Sequence, residues 1–140
     1  MMMRCRTHNW QSALAVTMAA RSSTQFSWGT HDCCMFACDC VLAATGHDPA
    51  SGIRGTYRSA AGAAEVLAAH GGIRALADAR LGSRVDPAIA QVGDIVLVVL
   101  EGRDTLAVCA GEAAVAPGAV GLVSMPMSAA VAAWRCTRAG

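Results

Sequence analysis

The sequence contains no lysine. Its eleven basic residues are all arginines, and they nearly balance ten acidic ones, for a net charge of +1. That balance leaves no broad basic face for nucleic acid or anionic lipid. Charged residues make up only 15% of the chain and aromatics 4%. No apolar run approaches the roughly 18 residues that a membrane-spanning helix requires. The longest candidate, Ile95 to Leu100, suits a buried strand. The opening residues, Met1-Met2-Met3-Arg4-Cys5-Arg6, lack the apolar stretch of a signal peptide. The chain therefore reads as one made and folded in a cytosol.

Alanine fills much of what remains, with thirty of 140 residues, and 54% of the chain is hydrophobic. This composition excludes intrinsic disorder. The length matches one domain that buries a core without covalent staples, and no repeat or linker divides residues 1–140. Cysteine is plentiful: Cys5, Cys33, Cys34, Cys38, Cys40, Cys109 and Cys136. An odd count in a reducing compartment argues against a disulfide framework.

The apolar stripe Trp10, Leu14, Ala15 and Met18 predicts a helix over residues 10–21, capped by His8 or Asn9. Asp32 is an N-cap candidate for a second helix reaching Thr45, with Phe36, Val41 and Leu42 as its large apolar residues and Gly46 as its stop. Gly52 to Gly55 reads as a loop. Further helices are expected over 59–70 and 73–81. Beyond Asp86-Pro87 and Val92-Gly93-Asp94 the pattern turns to strands: 94–100, a polar loop 101–104, then 105–110, 113–116, 120–123 and 133–137. Helices followed by strands argue for an α+β domain with an antiparallel sheet. Trp10, Trp28 and Trp134, the largest side chains, are expected to anchor the core.

The segment Phe26-Ser27-Trp28-Gly29-Thr30-His31-Asp32-Cys33-Cys34 leads an extended, glycine-containing stretch into a helix. A thiol in a first helical turn meets unpaired N–H groups and the positive end of the helix dipole, both of which favour thiolate. Cys33 is thus the candidate nucleophile. Its bland alternative, a small buried apolar side chain, is how most free cysteines behave. Spacing also raises a metal reading. Cys34 and Cys38 share one helical face, and Cys33 and Cys40 share another, so one helix cannot aim all four thiols at one ion. A zinc site would need His31, Cys109 or Cys136 to complete it, and an iron–sulfur cluster meets the same obstacle. No metal or other cofactor is assigned.

Trp28-Gly29, Asp32-Cys33, a helix, Gly93-Asp94 before a strand and a strand ending in Gly111 together resemble the NlpC-type cell-wall peptidases, small papain-like cysteine hydrolases. The resemblance is closer to a variant in tailed-phage tail modules. It rests on Trp10, Phe26-Ser27-Trp28-Gly29, Asp39, Gly46-His47-Asp48, Arg54-Gly55-Thr56-Tyr57, Gly71-Gly72, Val108-Cys109-Ala110-Gly111 and Ala133-Trp134-Arg135. It implies a papain-like fold, with N-terminal helices packed on a C-terminal antiparallel sheet of about four to six strands, and it puts Cys33 at the nucleophile position. The family's general base is a histidine opening the strand after the Gly-Asp strand. Here that strand opens Asp104-Thr105-Leu106, and Ala113 to Ala116, where an orienting residue would stand, is apolar. General-base help typically contributes 10²–10⁴-fold in rate.

The resemblance therefore implies a structural or assembly component of a phage tail tip or hub, built on a degenerate peptidase domain. Its partners would be hub and tail-tip proteins, with the tape-measure protein a further candidate, and its place the virion tail after assembly in the host cytoplasm. The low charge and the alanine- and glycine-rich segment 110–121 suit burial against such partners. The alternative is an active cysteine hydrolase that cleaves peptidoglycan peptides, with His31 replacing the missing base. His8, His47 and His70 read as structural or solvated.

Overall fold

The computed structural model describes residues 7–136, and Cys5 lies outside them. Helix α1 (Trp10–Arg21) is followed by α2 (Cys33–Thr45), α3 (Ala60–Ala69) and α4 (Ile73–Leu81). Six strands then follow: β1 (Arg84–Val85), β2 (Ile95–Leu100), β3 (Arg103–Cys109), β4 (Ala113–Pro117), β5 (Leu122–Pro126) and β6 (Ala130–Trp134). They form one antiparallel sheet in the order β1-β6-β2-β3-β4-β5. The α+β architecture expected from the order of elements is present. No helix among the described residues is long and apolar enough to cross a membrane.

Helix α2 is apolar on nearly every side, as a helix enclosed by protein must be. Phe36, Cys40 and Val41 pack with Leu14 and with Ile95, Leu97, Leu106 and Trp134 on one face of the sheet. Met35 and Cys38 face the other way, toward Ala50, Ile53, Tyr57, Ala63 and Leu76. Each large apolar side chain so buried contributes about 1.5–3 kcal/mol relative to exposure.

The sheet's second face is also dry. Val96, Val98, Ala107, Ala114, Ala116, Met125 and Ala133 form a cluster to which no α-helix contributes. Val85, Ala90, Leu100, Met127 and Ala130, none of them from an α-helix, pack against it.

Several local expectations need correction. Trp28 is 37% exposed and meets Phe26 edge-to-face, at 4.8 Å between ring centroids. The tight Ser27–His31 turn carries it to the surface. Leu42 and Ala15 are exposed as well. Asn9 occupies the N-cap of α1 but makes no side-chain cap bond. The loop 101–104 shrinks to Glu101-Gly102, both with positive φ, which makes a tight two-residue hairpin and returns Arg103 and Asp104 to β3. The last strand lies three residues earlier than expected, and Thr137 falls outside the described residues.

Candidate functional site

The approach to α2 is built around Asp32, which is 2% exposed. One carboxylate oxygen accepts from the Met35 amide at 2.8 Å and caps the helix. The other accepts from the Gly29 amide at 2.9 Å and the Tyr57 hydroxyl at 2.6 Å. Gly29 has φ +84°, and a Cβ there would collide with the Tyr57 carbonyl oxygen, so only glycine fits. The Ser27 and His31 backbones exchange two hydrogen bonds, of 3.2 and 2.8 Å, which close the turn. The Tyr57 hydroxyl is pushed well above its ordinary pKa, first by burial and then by its bond to Asp32.

Cys33 follows directly, as the first residue of α2. It retains some accessible surface as a residue, but its sulfur lies against β3 and the core. Burial pushes the thiol from its ordinary 9.0 up to about 12, with the neighbouring Cys34 and Asp32 adding to the rise; a backbone hydrogen bond at Leu106 opposes it. The rise corresponds to roughly 4 kcal/mol against the thiolate. A helix N-terminus typically returns 0.3–1 kcal/mol and about 2 at most, so burial wins.

His31 is 2% exposed. Its ring meets Phe36 edge-to-face at 5.7 Å, and neither ring nitrogen has a hydrogen-bond partner among the described residues. Burial lowers its pKa most, Arg21 lowers it further, and Asp39 and Asp32 oppose them. His31 and Cys33 are therefore near in sequence but not joined by a hydrogen bond. The remaining histidines stand elsewhere: His8 and His47 are exposed, and His70 is exposed at the end of α3 with Nδ1 2.9 Å from the Val66 carbonyl.

At the opening of β3, Asp104 is tied to Arg74 at 2.8 and 3.1 Å. No imidazole or amide side chain faces Cys33 from β3 or β4, since those strands contain none. Asp94 is fully buried; its Oδ2 accepts from the Gln91 amide, and its carbonyl accepts from the Cys109 amide, tying the start of β2 to the end of β3.

A charged chain flanks the site. Asp39 pairs with Arg21 at 2.9 Å and with Arg54 at 2.7 Å, and Arg54 also grips Asp48 at 2.9 Å. Its members come from α1, α2 and the loop after α2, too far apart in sequence for spacing alone to join them. No group of three or more His, Cys, Asp or Glu residues capable of holding a metal is found among the described residues. The arrangement can hold a neutral thiol in a dry, rigidly capped turn, and it offers that thiol no base.

No curated protein matches this chain. A family model described as a domain of unknown function, DUF6950, matches residues 5–136, nearly the whole length. The chain belongs to the DUF6950 family.

Proposed function

We propose that this domain is a structural or assembly component of a tailed-phage tail tip or hub, built on a papain-like, NlpC-type scaffold that no longer hydrolyses. The observation that carries the reading is the state of Cys33. It opens the central helix, where a nucleophile would stand, yet its thiol is held protonated and no histidine bonds it. At pH 7 a thiol of pKa about 12 is thiolate in only about one molecule in 10⁵. The rigid cap around Asp32 and the closed cores on both sheet faces suit a building block that docks onto hub, tail-tip or tape-measure proteins.

Two experiments test this. Purified protein incubated with peptidoglycan should release no more peptide than buffer, and Cys33→Ala should behave identically; release that depends on Cys33 would establish the hydrolase instead. Deleting the coding sequence from a prophage that carries it should give absent or arrested tails by electron microscopy after induction. Normal infectious particles would refute a tail role.

A further inference from the structure

Residues 22–31 join α1 to α2 with no regular element beyond the Ser27–His31 bridge. Both ends are fixed. The Ser22 carbonyl accepts from the Leu122 amide at 3.1 Å, and Asp32 caps α2 at the far end. Between those ends the segment lies on the surface. Ser22, Ser23, Gln25, Ser27, Trp28 and Thr30 are exposed, and His31 is the one fully buried residue. Segments with few buried contacts are the ones that open while the rest of a fold stays closed. His31 is therefore the plug that holds this segment down. Its ring lies edge-on to Phe36 at 5.7 Å, and its backbone closes the turn on Ser27.

The plug fits only as a neutral ring. Both ring nitrogens are buried with no hydrogen-bond partner among the described residues. An imidazolium would bring two charged N–H donors into the same place. The charged groups around it are already committed. Asp32 receives the Met35 and Gly29 amides and the Tyr57 hydroxyl. Asp39 on α2 is paired with Arg21 and Arg54. Arg21, at the end of α1, repels a second cation. Burial and then Arg21 make the folded chain resist protonation of His31, against the weaker pull of Asp39 and Asp32.

We propose that residues 22–31 form an acid-released strap: the neutral ring of His31 keeps it shut, and protonation lifts it while the helices and sheet stay folded. Opening moves one proton from solvent to an imidazole nitrogen and breaks no covalent bond. It gives up the Ser27–His31 pair and the Gly29–Asp32 bond, leaves Met35 and Tyr57 on Asp32, and bares the Phe36 ring beside the first turn of α2. The inference rests on the packing of the strap and does not depend on the tail reading.

Amide hydrogen exchange of the full chain, read by NMR at pH 7 and pH 5 and corrected for intrinsic rates, tests it. A freed imidazole of ordinary pKa 6.5 takes up a proton across this interval, so an opening that frees His31 becomes easier by up to about 25-fold. The Ser27 and His31 amides should lose protection by between about 3-fold and that factor, at rates that do not respond to sub-denaturing urea, while the amides of β2 and β3 stay far better protected. His31→Leu should abolish the pH response, and His70→Gln should keep it. If His31→Leu does not fold, the wild-type measurement decides alone. A change under about 3-fold, a pH response that survives in His31→Leu, or strap amides that exchange only through a urea-sensitive opening shared with β2 and β3 would each overturn the strap.

Discussion

A buried imidazole without a hydrogen-bond partner costs about 1–3 kcal/mol per unsatisfied polar group, and His31 carries two such nitrogens. Its lowered pKa makes stability depend on pH. Below the ordinary value of 6.5 the unfolded chain binds a proton that the folded chain resists, so stability falls as pH drops below about 6.5. The carboxylates with lowered values, Asp48, Asp78 and Asp104, enter only below their ordinary 3.8. The midpoint of urea unfolding should therefore be lower at pH 5 than at pH 7, and His31→Leu should remove most of the difference; equal wild-type midpoints would refute this. Cys33 makes a second prediction at this scale. Its raised pKa should make alkylation by iodoacetamide at pH 7 slower in the native protein than in urea, read by mass spectrometry of the peptide carrying it. Faster native labelling would mean an activated thiol. These properties were hidden in the sequence. Position at a helix start was legible from Asp32 and the residues after it, but the packing of β3 against the sulfur, which reverses the expected effect on the thiol, depends on a strand some seventy residues away.

At the level of elements, strong local signals were read well. The bounds of α1 and α4 coincide with the apolar pattern, and Gly46 stops α2 as its type suggests, whereas Ser59, expected as the first residue of a helix, caps α3 instead. Asp32 was legible as a cap, although its bond to Tyr57 was not, because it joins a helix start to a loop 25 residues on. Strand β1 escaped because two residues carry no periodicity; it exists only through pairing with β6. Trp28 misled because size argues for burial while the turn around it decides exposure. Gly29 tests the turn itself. Gly29→Ala should cost about 1–3 kcal/mol for its left-handed backbone alone, with more from the Tyr57 collision. A loss under about 0.5 kcal/mol by urea denaturation would show that the turn yields freely.

For the whole molecule, stability depends on a few large side chains in a chain built mostly from small ones. Trp134 is fully buried, packs with both helices and strands, and donates its Nε1–H to Asp78 at 3.0 Å. Trp134→Ala should cost about 3–5 kcal/mol, a large part of the 5–15 kcal/mol typical of a domain. The check is chemical denaturation, with Trp134→Phe expected to recover part of the loss and an unchanged midpoint in Trp134→Ala counting against the assignment. The strand that carries Trp134 lies between β1 and β2 in the sheet although it follows every other strand in the chain. On the ribosome, β1 therefore waits without β6, its one partner among the described residues, and β2 with one flank open, until residue 134 has cleared the exit tunnel. The helical half emerges first but cannot close its core. Folding of this domain is thus tied to the emergence of β6, and a ribosome that stops before β6 leaves an unpaired sheet edge rather than a smaller domain.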